Sequence, residues 1–381
     1  MKKLDLLIKN GRVIDPAAGV DGPGCIGIRD GLSCGLVPPD AAADHVIDAA
    51  GCYVLPGLID FHTHVFRGGS GHAVDPNSLI GMGVTTAVDA GTAGCANFEV
   101  FYRAVVCTCT PRLFTQLNVC SIGQPGDGFA EDFDPSLFQA EKIARLVRDY
   151  PKQIRGLKIR MGAEVAGVTD LTPLKKAREL AQGLHLPLTV HASNPPAPMA
   201  ELLDLLGPGD VLAHCFHGKG GHTILGPDGR VRPEVRAARE RGVRFDCANG
   251  VTNYNHEVAQ RALDDGFMPD IISSDLCRPA VERAGYARSL PFVLSKYLWL
   301  GMPLEKVIRA AIAAPADALG LGGKAGTLSP GAWGDVTVVS CVEADPVFLD
   351  NLGTVRRGDR LLVVKMTVRS GEILFRQTDF G

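Results

Sequence analysis

Two histidines separated by one residue give the first chemical signal in this sequence. His62 and His64 close the short run Asp60-Phe61-His62-Thr63-His64. In a β-strand, side chains two residues apart point to the same face. The two imidazoles are therefore predicted to converge, as the ligands of a bound metal ion do. A chance pair on the surface is the alternative, and the rest of the chain has to decide between them.

Other apolar runs also end on a side chain that can take part in metal binding, namely Lys158, His191, His214 and Asp275. Alternation in the strand predicted at residues 154–160 turns Lys158 and Arg160 inward. A lysine in a dry site has a lowered pKa. Its neutral amine can take up carbon dioxide to become a carbamate, an anion able to bridge two metal ions. A solvated lysine at a strand end is the alternative.

The middle of the chain repeats one unit, and this repeat would position the candidate ligands. Each unit is a short apolar run, a Gly, Asn or Asp turn and an amphipathic helix, which is the βα pattern. Eight strands are predicted, at residues 57–62, 85–90, 112–119, 154–160, 186–191, 210–215, 243–247 and 270–275. Helices with apolar residues at three- and four-residue spacing are predicted at residues 135–149, 171–184, 233–242, 255–266 and 303–314.

This pattern predicts an α/β fold in which residues 56–323 form a TIM-like (β/α)8 barrel. Active sites in such barrels lie at the carboxyl ends of the strands, and five of the eight predicted strands place a candidate ligand there. Residues 1–55 and 324–381 flank the barrel and share short Val, Ile and Leu runs with Gly turns. Neither flank makes a core alone, so we expect them to pair into one small β-sandwich domain. Two independent flaps are the alternative.

Composition limits the kind of partner. The chain has 39 basic and 42 acidic side chains, and 46% of its residues are hydrophobic. Nothing in this balance indicates binding to nucleic acid or to a membrane surface, so a small-molecule substrate is expected. The N-terminal run lacks the features of a signal peptide, and the eleven scattered cysteines suit a reducing cytoplasm as free thiols. The sequence leaves assembly into a homo-oligomer open.

The candidate ligands divide into two overlapping groups. A carboxylated Lys158 with His62, His64 and Asp275 can hold one ion, and the carbamate with His191 and His214 can hold a second. Imidazole and carboxylate ligands suit zinc, the first choice, and also accept manganese, iron or cobalt. Two such ions about 3.5–4 Å apart activate a bridging hydroxide and polarise a substrate carbonyl. Asp275 is then placed to act as general acid and base.

Two longer motifs resemble those of the amidohydrolase superfamily. They are Leu55-Pro56-Gly57-Leu58-Ile59-Asp60-Phe61-His62-Thr63-His64 and Ser329-Pro330-Gly331-Ala332-Trp333-Gly334-Asp335-Val336. The resemblance implies that Lys158 is the carboxylated bridging lysine found in dihydroorotases and hydantoinases. Particular runs, such as His214-Cys215-Phe216-His217-Gly218-Lys219, are similar to the amidohydrolase/deacetylase branch. That branch implies removal of a small acyl group, such as acetyl, from an α-acyloxy or N-acyl carboxylate.

Four further residues are candidates for binding the substrate: Arg160, Asn194, His217 and Asn249. An arginine among them fits a substrate carboxylate. Each could instead have a structural or loop-capping role. The run Cys247-Ala248-Asn249-Gly250 departs from the His-Gly pair expected in much of the branch, so the substrate pocket is expected to differ.

Dihydroorotases typically have the pattern His-x-His-x-Arg at strand one, whereas this chain has Phe66 at the arginine position. Arg67 follows, and a loop could turn it back towards the site. Arg278 is a further cation near Asp275. A cyclic amide hydrolase, of the dihydroorotase or hydantoinase kind, is the main rival to the acyl hydrolase. A non-catalytic scaffold is a second rival, which metal analysis would distinguish.

Overall fold

The computed structural model describes residues 3–126, 128–165 and 168–380. Its strands, in chain order, are β1 Leu4–Asp15, β2 Val20–Arg29, β3 Leu32–Leu36, β4 Ala43–Asp48, β5 Tyr53–Pro56, β6 Leu58–Thr63, β7 Val84–Asp89, β8 Arg112–Asn118, β9 Ile154–Arg160, β10 Leu188–His191, β11 Val211–Ala213, β12 Arg244–Asp246, β13 Val336–Glu343, β14 Val347–Leu349, β15 Val355–Arg357, β16 Arg360–Arg369 and β17 Glu372–Arg376.

The α-helices are α1 Ser78–Gly81, α2 Phe98–Phe101, α3 Ala140–Asp149, α4 Thr172–Gly183, α5 Met199–Asp204, α6 Pro233–Glu240, α7 His256–Asp264, α8 Arg278–Glu282, α9 Leu290–Trp299, α10 Leu304–Ala311 and α11 Ala313–Ala318. A π-helix at Tyr102–Val106 continues α2, and a 3-10 helix at Pro135–Leu137 precedes α3. A helix is found in each of the five predicted ranges, and α1, α2, α5, α8 and α9 are additional to the prediction. The ends of the predicted helices differ by a few residues, as is usual because helix ends fray.

Strands β6 to β12 form one curled parallel sheet of seven strands, in the order in which they occur along the chain. Every residue of β6 and of β7 is buried, as expected for parallel strands covered on both faces. In β9, Leu157 and Ile159 join the apolar core that contains Leu174 and Ala177 of α4. The intervening Lys158 faces the other side of the sheet, as the alternation of the strand predicts.

The eighth predicted strand, at residues 270–275, is not formed, and the sheet does not close into a complete barrel. Ile271 makes a single bridge with Asp246 of β12, and Leu276 makes another with Thr63 of β6. Two buried carboxylates add side-chain contacts to this segment. Asp246 accepts a hydrogen bond from Ser273 Oγ (2.7 Å), and Asp60 accepts one from the Ser274 backbone N–H (3.0 Å). These side-chain contacts accompany an irregular set of backbone hydrogen bonds, among them Ile271 N–H to the Phe245 carbonyl (3.1 Å) and Gly250 N–H to the Ser274 carbonyl (2.9 Å).

The two ends of the chain meet in a second sheet, of eight strands. Its order is β17-β16-β13-β5-β1-β2-β3, with β4 paired to β1. Val54 of β5 pairs with Val338 of β13, so the N-terminal and C-terminal segments share one hydrogen-bonded sheet. Its apolar core includes Ile8, Ile26 and Val336. The association of the flanks is therefore observed, while the sandwich form and the domain boundaries at residues 55 and 324 stay predictions.

The two sheets touch through a mixed polar and aromatic contact. Arg112, the first residue of β8, forms an ion pair with Asp335 and stacks at 4.0 Å on the ring of Trp333. Asp335 also accepts the backbone N–H of Ser370 (2.8 Å).

All eleven cysteines are free. Among the described residues, no helix is long and apolar enough to cross a membrane.

Candidate functional site

A cavity of about 320 Å³ lies at the carboxyl ends of the strands of the seven-stranded sheet. All six predicted metal ligands line it: His62, His64, Lys158, His191, His214 and Asp275. They come from the ends of β6, β9, β10 and β11 and from the segment after β12. This volume lies at the small end of the range for ligand pockets, which indicates a small molecule.

His62, His64 and Asp275 form the most compact part of the site. One ligand atom from each lies within 4.8 Å of the other two. His64 Nε2 is 3.2 Å and His62 Nε2 is 3.7 Å from Asp275 Oδ1. The other carboxylate oxygen of Asp275 accepts a hydrogen bond from Asn253 Nδ2 (3.0 Å). Two imidazoles and a carboxylate therefore converge on one point.

The other three residues extend this group along the floor of the cavity. Lys158 Nζ is 3.2 Å from His62 Nε2. The ring of His214 lies 5.0 Å from that of His62 and 4.3 Å from that of His191, between centroids. Gly91 packs against the Lys158 stem with φ +83°, and a Cβ there would come within 2.6 Å of Lys158 Cγ. Glycine is therefore required at this position.

Hydrogen bonds to the distal ring nitrogens orient two of the imidazoles. His64 Nδ1 lies 2.9 Å from Thr92 Oγ1, and His214 Nδ1 lies 2.7 Å from the carbonyl oxygen of Ala248. His62 Nδ1 is 3.5 Å from a carboxylate oxygen of Asp246. Such contacts fix ring orientation in metal sites, where the outer nitrogen of a ligating histidine is usually held by a carbonyl or carboxylate.

Burial sets the charge of the site. It lowers the pKa of His62, His191 and His214 well below the usual range, so these imidazoles are neutral, the form that binds metals. Burial also lowers the pKa of Lys158 to about 8. For Asp275, burial alone would raise the pKa. The hydrogen bond with His64 and the other nearby imidazoles outweigh this, and the pKa is held well below its usual range.

Four of the eight described non-glycine residues with positive φ belong to the site or its supporting loops. Asp275, His214, Asn194 and Ala248 have φ angles of 53°, 64°, 51° and 35°. Non-glycine residues rarely adopt this left-handed region, which costs on the order of 1–3 kcal/mol each when sparsely populated. Two of the four are predicted ligands, and Ala248 holds His214. Surrounding packing must maintain these conformations.

The residues fit a bound divalent cation. The donors are neutral imidazoles and an ionised carboxylate, which are suitable ligands for such ions. Nε2 of His191 is buried and has no hydrogen-bond partner among the described residues. Imidazole nitrogens that are buried and unpartnered are costly unless a ligand is bound there.

One of the four substrate-binding candidates lines the cavity, and the other three do not. Arg160 lines the cavity, and its guanidinium forms an ion pair with Glu131. Asn194, His217 and Asn249 do not line it. His217 Nδ1 accepts the backbone N–H of Lys219 (3.3 Å). Asn249 accepts a hydrogen bond from Lys296 Nζ (3.0 Å) and donates one to the Tyr297 hydroxyl (3.1 Å). Their substrate-binding roles stay predictions.

Sequence reasoning missed several residues of the site. Lys219 and Glu164 line the cavity as an ion pair (3.1 Å), and Arg283 lines it as well. These residues lie in loops or at a helix end, so no periodic pattern marks them. Sequence reasoning also missed Asp246, although it ends strand β12. A carboxylate at the carboxyl end of a strand is a candidate for the active site in this kind of fold.

Comparison with known proteins gives the family of this chain. The model of the amidohydrolase family matches residues 53–374. A protein named deacetylase from Agrobacterium fabrum is 33% identical over 335 residues, which cover 86% of this chain and 80% of the relative.

Two solved structures are similar over nearly the whole chain. One is described as an adenine deaminase (TM-score 0.90, 29% identity, 98% of this chain and 100% of that one). Another is described as a dihydroorotase (TM-score 0.87, 31% identity, 98% of each chain).

The chain belongs to the amidohydrolase family. It is a hydrolase, and the resemblance inferred from the strand-one and Ser329–Val336 motifs is confirmed. The family also supports metal-dependent hydrolysis, in keeping with the His62, His64 and Asp275 group. A non-catalytic scaffold has no support from these relatives.

Proposed function

We propose that this chain is a binuclear metal-dependent hydrolase that removes an acyl group from a small carboxylate by cleaving an ester or amide bond. The observation that carries the proposal is the convergence of six side chains, from five separate segments, on one small cavity. Four of them are buried imidazoles, one is a buried lysine and one is an ionised carboxylate. No structural requirement of a barrel explains such a concentration at the strand ends.

His62, His64 and Asp275 would hold one ion, and His191 and His214 a second, with a carboxylated Lys158 between them. Zinc is our first choice of metal. When bound, such ions lower the pKa of a water molecule and polarise a carbonyl group. Elemental analysis of the purified protein is expected to find close to two divalent ions per chain. Full activity with one tightly bound ion, and no gain from a second, would contradict the binuclear site.

Lys158 is suited to carboxylation because burial keeps a large fraction of its amine neutral near pH 8. The Nζ lone pair would attack carbon dioxide, an N–C bond would form, and a proton would leave Nζ for solvent. Protein prepared with ¹³C-labelled bicarbonate should show a carbamate resonance that Lys158→Ala lacks. An unchanged spectrum in the variant would refute carboxylation at this residue.

Asp275 is suited to moving the proton of the reaction. It is held ionised, and Asn253 and His64 fix its two oxygens. We infer that a carboxylate oxygen of Asp275 accepts the proton of the attacking water and delivers it to the leaving oxygen or nitrogen. The neighbouring imidazoles keep their orientation through the contacts of their outer nitrogens.

The strand-one segment favours an acyclic acyl substrate over dihydroorotate. Phe66 is buried with its ring against Phe101 (4.9 Å between centroids), so it provides no cation. Arg67 is largely exposed and pairs with Asp75 (3.1 Å), and it does not line the cavity. The relative named deacetylase supports acetyl as the group that is removed. The resemblance to the deacetylase branch is what suggests an α-acyloxy or N-acyl carboxylate as the compound that carries it.

A cyclic amide hydrolase is the second candidate, favoured by the similar structure described as a dihydroorotase. Metal-loaded protein should be assayed against acyl esters, N-acyl amino acids and cyclic amides, with both enantiomers of each. We expect kcat/KM to be highest for an acyclic acyl carboxylate. A kcat/KM for dihydroorotate at or above about 10⁴ M⁻¹s⁻¹, within the ordinary range for native substrates, would overturn this order.

A further inference from the structure

Besides Lys158 at its floor, the cavity is lined by three cationic side chains, Arg160, Lys219 and Arg283. They differ in how much of their charge is available to a ligand. Arg160 is paired with Glu131, which is buried. Lys219 is paired with Glu164, with 3.1 Å between Nζ and Oε1. Each carboxylate largely neutralises its partner, so these two cations contribute little net charge to the binding of a ligand.

Arg283 is the third cation, and it differs from the other two. It is exposed at the mouth, and no carboxylate of the described part of the chain lies within 4.0 Å of its guanidinium. Its charge is therefore available to a ligand. A guanidinium suits a carboxylate because its planar donors can form two parallel hydrogen bonds with the two oxygens.

The backbone explains how Arg283 reaches the cavity. The segment that carries Asp275 leads into the short helix α8, which begins at Arg278. Arg283 follows the end of this helix in an extended conformation, with φ −105° and ψ 120°. Cys277 and Pro279 of the same stretch also line the cavity. One continuous segment thus contributes an acid at the floor and a cation at the mouth.

We propose that Arg283 binds the carboxylate of the substrate and makes the site prefer anionic acyl compounds. The inference rests on the proposed function for the identity of the reacting bond. The substrate would place its acyl carbonyl among the histidines and Asp275, and its carboxylate towards α8. Arg160, the sequence-based candidate for this contact, would instead form one wall together with Glu131.

Calorimetry with the metal-loaded enzyme tests the contact without requiring turnover. Succinate offers one carboxylate to the floor of the cavity and a second to the mouth, whereas butyrate has a methyl group in place of the second carboxylate. We expect wild-type protein to bind succinate roughly 10- to 100-fold more tightly, the range for a charge-assisted contact. In Arg283→Gln this preference should fall below about threefold, while affinity for butyrate stays unchanged.

Arg288→Gln is the matched control. Arg288 is also exposed, lies five positions further along the chain and stacks on Phe292 at 4.7 Å, outside the cavity lining. It should keep the wild-type preference. If Arg283→Gln retained the preference for succinate, or lost affinity equally for both compounds, the assignment would be overturned.

The two proposals can fail separately. Loss of the succinate preference in Arg283→Gln, together with no hydrolysis of any acyl carboxylate by the wild-type enzyme, would support the anion contact and refute the acyl hydrolase. Turnover of acyl carboxylates with equal kcat/KM in wild type and Arg283→Gln would leave the hydrolase standing and refute the role of Arg283.

Discussion

Two lysines among the described residues are fully buried, and they occupy very different surroundings. Lys158 lies on β9 at the floor of the cavity, and Lys296 lies on α9 behind the end of β12. Burial lowers the pKa of both amines, to about 8 and about 7 respectively. By this measure alone, Lys296 would be the more reactive group.

The contacts of the two amines reverse that order. Lys296 Nζ donates to Asn249 Oδ1 (3.0 Å) and sits 4.0 Å from the centre of the Tyr254 ring. It does not line the cavity. Lys158 lines the cavity and has Asp275 as the strongest charge acting on it. A lowered pKa thus makes a lysine available for chemistry only where solutes and ligands can reach the amine.

The sharpest test replaces each lysine in turn. Lys158→Ala should lose metal and lower kcat/KM by about 10⁴-fold, since bound ions contribute several kcal/mol and each 1.4 kcal/mol is tenfold. Lys158→Met should fare no better, because a thioether of similar volume cannot be carboxylated. Lys296→Met should keep its metal and lose no more than about tenfold. Metal and full rate retained in Lys158→Met would break the comparison.

The next test replaces Asp275, the carboxylate that lines the same cavity as Lys158. Asp275→Asn should retain at least one ion, because its amide still offers an oxygen, but the chemical step should slow by about 10²–10⁴-fold. Single-turnover rates and metal content measured on the same samples separate the two effects. A loss below about tenfold in the chemical step would move the proton-transfer role to another residue, with His217 the next to examine.

A smaller effect is expected in the pH dependence of stability. The pKa of Lys296 is about 7 in the folded protein, against about 10.4 in an unfolded chain. Between these values the unfolded chain binds more protons, so this lysine destabilises the fold at neutral pH and does so less as pH rises. Its contribution changes by up to about 1.4 kcal/mol per pH unit.

Urea titrations at pH 7, 8 and 9 should therefore show that Lys296→Met is more stable than wild type at pH 7, with the difference shrinking at pH 9. Wild type and variant must be compared at each pH, because Lys158 and other buried groups contribute the same background. A difference that is constant across this range would mean that the amine of Lys296 is not neutralised by burial.

The smallest expected effect is a loss of stability when Asn249, the hydrogen-bond acceptor of Lys296 Nζ, is replaced. Asn249→Ala removes the acceptor of the Lys296 hydrogen bond and the donor to Tyr297. Leaving buried polar groups unpaired should reduce the free energy of unfolding by about 1–3 kcal/mol. The double variant with Lys296→Met should recover part of this loss. An equal cost of Asn249→Ala in the wild-type and Lys296→Met backgrounds would show that the two side chains are not coupled.

Local sequence patterns account for the ligand-bearing strands. Alternation in β9 separates Lys158 from Leu157 and Ile159, and this rule needs no knowledge of the rest of the chain. The strand-one pair His62 and His64 follows from the same period. The meeting of these residues follows from the βα repeat, because parallel strands of one sheet end at the same edge.

Loop and helix-end residues could not be derived in this way. Arg160 was expected to face a substrate carboxylate, yet Glu131, 29 residues earlier in a loop, neutralises it. The side-chain oxygen of Asn249, a sequence-based candidate for substrate binding, accepts a hydrogen bond from Lys296 on a helix 47 residues later. Such long-range pairs depend on tertiary packing, which no local period encodes.

The sequence by itself determined the parallel α/β sheet, the family and the six candidate ligands, because apolar periodicity and motif spacing are local properties. The tertiary structure alone decided how the sheet is completed. Asp60 and Asp246 accept hydrogen bonds from Ser274 and Ser273, and irregular backbone hydrogen bonds join the segment predicted as the eighth strand to residues 245–250. The same segment then continues through α8 to Arg283. Charge at the mouth of the cavity is therefore a product of the fold, since it depends on which cations meet a carboxylate there and which do not.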